Sequence, residues 1–170
     1  MVGDCVVSFE EFRNVLGVIP MQIWVDADAC PKSVKELIYR ASERLSVNAI
    51  FVSNSPIYIP PSNFLEIINV PKDPDAADKY IIQNTKKEDL VITADIPMAS
   101  EVLKKKSHVI SPRGEEFTED NIGEKISTRN LMSELRTSGL VGGGPPPLNE
   151  KDLQKFSSAS DRIVTKLLQT

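Results

Sequence analysis

The strongest constraint on this chain is an alternation of short apolar runs with segments of helical spacing. The runs lie at residues 22–25 (QIWV), 48–53 (NAIFVS), 65–70, 90–93 (LVIT) and 108–110. They read as buried strands, because they are apolar almost throughout instead of alternating with polar positions. Residues 32–45 place Val34, Leu37, Ile38, Ala41 and Leu45 at three- and four-residue spacing. Residues 75–84 follow the Asp73-Pro74 turn, and 97–106 open on a proline in the first turn. Strands alternating with helices pair in parallel through right-handed crossovers, since a parallel neighbour is reached only by crossing the sheet. The expected fold class is α/β: one domain over residues 21–170, with a central parallel sheet of about five strands.

Beyond the last strand the pattern changes. Residues 117–139 read as mostly helical, GGGPPP at 142–147 is a stiff break, and 149–168 form a final helix. Asn149 and Asp152 suit its cap, and Leu153, Phe156, Ile163, Val164 and Leu167 its apolar face. Residues 1–20 stand apart. Ser8 with Glu11 fits a capping box, Phe9, Phe12, Val15 and Leu16 share one helical face, and Pro20 ends the segment. Two readings stand side by side: an accessory helix, or an upstream extension of a domain that begins at Met21.

Composition narrows the chemistry. Cys5 and Cys30 have no Cys or His at zinc-ligand spacing and make no disulfide framework. Cys30 reads as a small buried residue. The sole histidine, His108, sits in an apolar strand, which counts against Ser-His-Asp and Cys-His mechanisms. No run reaches the roughly 18 to 20 apolar residues of a membrane span, and the N-terminus has no basic region before an apolar one. The expected compartment is the reducing cytoplasm, with no membrane partner. A net charge of −4 argues against coating nucleic acid by bulk electrostatics but leaves room for a local basic rim.

The aspartates carry the functional signal. Open parallel sheets bind ligands at the C-terminal ends of strands where the strand order reverses. Asp26 directly follows the first strand, Asp28 lies in the loop after it, and Asp95 follows the fourth strand in TADIP. If the first and fourth strands are neighbours at the switch point, Asp26 and Asp95 face each other. Asp75 and Asp78 share the N-terminal face of their helix, and packing beside the first helix would lean both toward the same crevice. Carboxylates gathered this way repel unless protonated or neutralised, and an all-oxygen set suits Mg²⁺ or Mn²⁺. Two such ions activate water and stabilise the leaving oxygen of a phosphodiester. Capping competes with this role at two positions: Asp75 as an N-cap, and Asp28 as a cap or Asx-turn. Asp89, before its strand, reads as a turn residue at the wrong edge.

IWVDADACP at 23–31, KELIYRASER at 35–44, DAAD at 75–78 and DLVITADIPMA at 89–99 together resemble the YaiI/YqxD family of uncharacterised bacterial proteins. SPRGEEFT at 111–118, Asn121-Ile122, RNLMSELRTSG at 129–139 and GGP at 143–145 continue the likeness to the final helix. That family is grouped with PIN-like domains, metal-dependent nucleases whose acids sit at the sheet edge. The resemblance implies a PIN-like three-layer sandwich with C-terminal helices. It also implies Asp26, Asp78 and Asp95 as catalytic acids, with Asp28 and Asp75 as family-typical additions to the metal set. PIN-like domains often dimerise, so a homodimer joins the expectations.

Arg113, Arg129 and Arg136 follow the last strand. They read either as a lid gripping substrate phosphate, Arg113 and Arg129 foremost, or as a solvated helical face. The leading expectation is a Mg²⁺- or Mn²⁺-dependent hydrolase, a nuclease acting on RNA or a single strand. The first alternative is a haloacid-dehalogenase-like phosphatase with Asp26 as nucleophile and Asp28 as general acid, although Cys30 stands where that signature prefers Thr or Val. The second is a non-catalytic PIN-like module that holds a nucleotide or a partner.

Overall fold

The structure, a computed structural model, describes residues 21–140, 142 and 146–168. The expected helix in residues 1–20, Cys5, and most of the GGGPPP stretch lie outside them. Strands β1 (Gln22–Asp26), β2 (Asn48–Ser53), β3 (Leu65–Asn69), β4 (Leu90–Ile92), β5 (His108–Ile110) and β6 (Glu116–Phe117) form one sheet in the order β3-β2-β1-β4-β5-β6. The first five are parallel. From β1 the chain winds outward through β2 and β3, then returns to lay β4 on β1's other side. The switch point therefore falls between β1 and β4, the arrangement that brings Asp26 and Asp95 to the same edge.

The α-helices among the described residues are α1 (Lys32–Leu45), α2 (Ala76–Asn84), α3 (Ile96–Leu103), α4 (Ile122–Thr137) and α5 (Glu150–Leu168). Strand side chains alternate between two cores. Ile23, Val25, Phe51, Leu90 and Ile92 meet Val34 and Ile38 of α1 and Phe156, Ile163 and Val164 of α5. Trp24, Ile50, Val52, Val91 and Val109 meet Ala77 and Ile81 of α2 and Met98, Ala99 and Val102 of α3. The result is a three-layer α/β/α sandwich. No helix among the described residues is long and apolar enough to cross a membrane.

Two expectations change. The segment from 117 does not begin as helix: Phe117 is buried and pairs antiparallel with Val109 in β6, and α4 starts only at Ile122. A two-residue strand is too short to show a period. Its return is fixed by side chains, with Thr118 N donating to Asn121 Oδ1 (2.8 Å) and Asn121 Nδ2 to the Glu116 carbonyl (2.9 Å). The second change concerns α2, which lies beside α3 on the face opposite α1.

Helix α5 is capped as expected: Asp152 N donates to Asn149 Oδ1 (3.0 Å) and Asn149 N to Asp152 Oδ2 (3.2 Å). The Arg113-Gly114 pair clamps this helix to the sheet. Gly114 has φ +82°, and a Cβ there would stand 2.5 Å from the backbone of Lys155 and Phe156. Arg113 binds Asp152 (2.9 Å) and the Pro146 carbonyl. Helix α4, by contrast, has no buried residue and rests mainly on α3.

Candidate functional site

Strand β1 delivers Asp26 to the crest of the sheet, where it is buried and followed by a single 3-10 turn, Ala27–Ala29. Its carboxyl is pushed up to about 6, first by burial and then by the charges of Asp28 and Asp95. From β4, Thr93 reaches it: Thr93 Oγ1 donates to Asp26 Oδ2 at 3.4 Å and accepts from Asp95 N at 3.0 Å. One hydroxyl thus ties the ends of the two switch-point strands together. Asp95 caps α3 by accepting from Met98 N (3.0 Å), where Pro97 removes one of the orphan donors of the first turn.

Asp78, in the first turn of α2, comes to the same crevice from the α2–α3 face. Its carboxyl is also pushed up to about 6, by burial first, then by Asp95 and Asp26, by a hydrogen bond shared with Asp95, and least by Asp75. Asp26, Asp78 and Asp95 therefore act on one another across the switch point. Asp75 stands at the N-cap position of α2 but makes no capping bond, and it is exposed at the periphery.

Asp28 differs from Asp26 two residues earlier. Its Oδ1 accepts from Ser53 Oγ (2.7 Å) and Ser55 Oγ (2.9 Å), and its Oδ2 from Asn54 N (2.8 Å). Burial pushes its pKa up, but these bonds and the nearby Lys35 outweigh it and leave the carboxyl below its ordinary value. Asp28 is thus the anchor of the β2–β3 loop. Its turn to that loop and the capping bond of Asp95 fit a further finding: among the described residues, no three Asp, Glu, His or Cys side chains form a ready-made metal cage. The donors present are all carboxylate and hydroxyl oxygens with excess negative charge, which is the chemistry a hard divalent cation requires. Asp26, Asp78 and Asp95 are the residues that would hold it.

Cys30 is buried, with its thiol pushed up to about 12, chiefly by burial, so it is no thiolate nucleophile. Asp89 is buried at the opposite edge, accepting from Gln22 N (3.0 Å), Trp24 Nε1 (3.0 Å) and Lys86 N (2.9 Å). It is more than a turn residue, because it fastens the starts of β1 and β4.

Beside the acids opens a cleft of about 770 Å³. Ala29, Pro31, Ala94 and Ile96 line it on the sheet side, and Lys125, Arg129, Met132 and Arg136 line it from α4. These four α4 residues follow i, i+4, i+7, i+11 spacing and form one stripe. Lys125 pairs with Glu115. Arg129 and Arg136 form no ion pair with any described residue. Arg113 also lines the cleft, but its guanidinium is held by Asp152 and Pro146.

The family model described as "Uncharacterized BCR, YaiI/YqxD family" matches residues 24–166, which span both strand-end aspartates, helices α1 to α4 and all but the last two residues of α5. The chain belongs to the YaiI/YqxD family. It is 48% identical over 149 residues to a UPF0178 protein of Citrifermentans bemidjiense, covering 88% of this chain and 97% of that one. A UPF0178 protein of Thioalkalivibrio sulfidiphilus is 46% identical over 146 residues, covering 86% and 99%. One from Yersinia enterocolitica is 46% identical over 149 residues, covering 88% and 98%. No solved structure gives a significant match. The family likeness thus spans the whole sandwich, including the α4 stripe and the α5 clamp.

Proposed function

We propose that this chain is a Mg²⁺- or Mn²⁺-dependent phosphodiesterase, a PIN-like nuclease that cleaves RNA or another single strand. Asp26, Asp78 and Asp95 would carry the chemistry. The observation that supports this most is the shared field of the three acids: two of them are pushed up to about 6, by burial first and then chiefly by neighbouring carboxylates. Such a crevice costs stability unless a cation enters it. A bound divalent ion would supply charge neutralisation and an activated water. The chain's own contributions are distinct. Thr93 fixes the Asp26 and Asp95 strand ends relative to each other, Asp28 sets the loop beside them, and Arg129 and Arg136, without an ion pair among the described residues, offer guanidinium groups to phosphate.

The phosphatase alternative asks Asp28 to act as a general acid. A carboxyl held below its ordinary value, with both oxygens accepting hydrogen bonds, is poorly suited to hold a proton near neutral pH. The deciding experiment incubates the protein with labelled single-stranded and duplex RNA and DNA, with Mn²⁺ or EDTA, and repeats it with Asp26→Asn. Mn²⁺-dependent cleavage lost in the variant supports the proposal. No cleavage of any oligonucleotide, combined with Asp26-dependent hydrolysis of p-nitrophenyl phosphate, would replace it with the phosphatase.

A further inference from the structure

A second cleft, of about 580 Å³, lies between α1 and the β2–β3 loop that Asp28 anchors. It is formed by the first turns of α1 and the β2–β3 loop, and its principal residues are Lys32, Lys35, Tyr39, Ile57 and Tyr58, with Glu36 also on its wall. Tyr58 is 82% exposed, although its chain neighbours Ile57 and Ile59 pack against the core. The loop therefore buries alternate residues and turns the aromatic ring outward. Pro56, Pro60 and Pro61 restrict its backbone, and Ser53, Asn54 and Ser55 tie its start to Asp28. An exposed ring held on an anchored, proline-stiffened loop is pre-organised to bind, because little entropy is left to lose. Lys32 and Lys35 form no ion pair with any described residue, although Lys35 is near enough to Asp28 to help lower its pKa. Tyr39 is itself steadied against Phe51, with ring centroids 5.3 Å apart.

We propose that this cleft is a nucleobase subsite, where Tyr58 stacks on an unpaired base and Lys32 and Lys35 hold an adjoining phosphate. Aromatic stacking beside unpaired cations is how proteins hold single strands without reading sequence. A duplex keeps its bases stacked inside and offers none to such a ring. Asp28, which acts on Asp26, also anchors the β2–β3 loop that carries Tyr58, so a strand reaching the acids would continue toward this ring. The proposal rests on the nuclease reading for the identity of the substrate, and it makes that substrate single-stranded.

The test measures fluorescence anisotropy of a labelled single-stranded oligoribonucleotide with full-length protein carrying Asp26→Asn, without divalent metal. Tyr58→Ala should weaken binding about tenfold, while Tyr58→Phe and Tyr58→Trp keep it. In Tyr58→Trp the oligonucleotide should quench the new indole, whereas Trp24 is buried and does not respond. Removing Lys32 and Lys35 together should flatten the salt dependence, by about 0.7 in log–log slope per lost contact. The proposal is overturned if Tyr58→Ala binds within twofold of its parent, or if duplex binds equally well. It is also overturned if Tyr58→Ala instead converts a dimer to a monomer in sedimentation, which would make the cleft a contact between copies. The two readings separate cleanly. Tyr58-dependent binding without Mn²⁺-dependent cleavage keeps the subsite and removes the catalysis, and cleavage whose binding and KM ignore Tyr58 does the reverse.

Discussion

Replacing Asp26 by asparagine removes one negative charge from the acidic crevice while keeping the side chain's size and an oxygen for Thr93 Oγ1. In the folded protein this carboxyl titrates at about 6, against an ordinary 3.8. The folded state therefore keeps a proton there that the unfolded chain has already lost. Its contribution to stability is fully present below about pH 4 and falls as pH rises through 6. That displacement corresponds to about 3 kcal/mol at neutral pH. The asparagine side chain carries no such penalty, so at pH 7 without metal the variant should melt higher, by roughly 5 to 10 °C for a chain of this length. The assay is differential scanning calorimetry of both proteins from pH 4 to 8, in EDTA and then in Mn²⁺. The stability difference should vanish near pH 4 and grow toward pH 7. Mn²⁺ should raise the melting temperature of the parent and leave the variant nearly unmoved. A variant that melts lower than its parent at pH 7, or whose deficit is independent of pH, would refute the claim that this carboxylate is held against burial and its neighbours' charge.

Three further outcomes follow from particular contacts. Gly114→Ala should destabilise by about 3 kcal/mol or more in urea titration, since its Cβ would meet the α5 backbone at 2.5 Å at a φ of +82°. A loss below 1 kcal/mol would mean that α5 can shift at no cost. Asp89→Ala should cost about 3 kcal/mol by leaving Gln22 N, Trp24 Nε1 and Lys86 N without their shared acceptor, and a near-neutral result would show that water replaces it. Thr93→Val removes a hydroxyl that lowers the Asp26 pKa, so under the nuclease proposal the acid limb of the pH–rate profile should move to higher pH, and an unmoved limb would deny Thr93 that role.

The layers and the switch point were legible because burial on both faces makes parallel strands continuously apolar, and an aspartate after such a run has only the sheet edge to occupy. What stayed hidden depends on partners distant in sequence. Asp89 meets Gln22 across 67 positions, and Thr93 meets Asp26 across the same separation. Neither separation leaves a periodic trace. The side of the sheet taken by α2 was hidden for the same reason: its apolar positions say that it buries a face, not which layer receives it. Arg113-Gly114 looked like a phosphate grip because a basic residue and a glycine after a strand suit one. The glycine in fact admits the α5 backbone, and the arginine reaches that helix's cap.

Asp26 and Asp28, two residues apart, show why position alone could not rank the five acids. Asp26 ends a strand among buried apolar atoms and two like charges, with one long hydrogen bond to offset them. Asp28 is exposed and receives three donors from the β2–β3 loop. Their pKa values therefore move in opposite directions. A covalent phosphatase mechanism wants the first ionised for attack and the second protonated for donation, and these environments favour the reverse. Metal-assisted hydrolysis asks only that charge accumulate where a cation can relieve it, and that a neighbouring element stay rigid enough to present substrate. Asp26 meets the first condition by being unsatisfied, and Asp28 meets the second by being satisfied. The same loop that silences Asp28 turns Tyr58 outward.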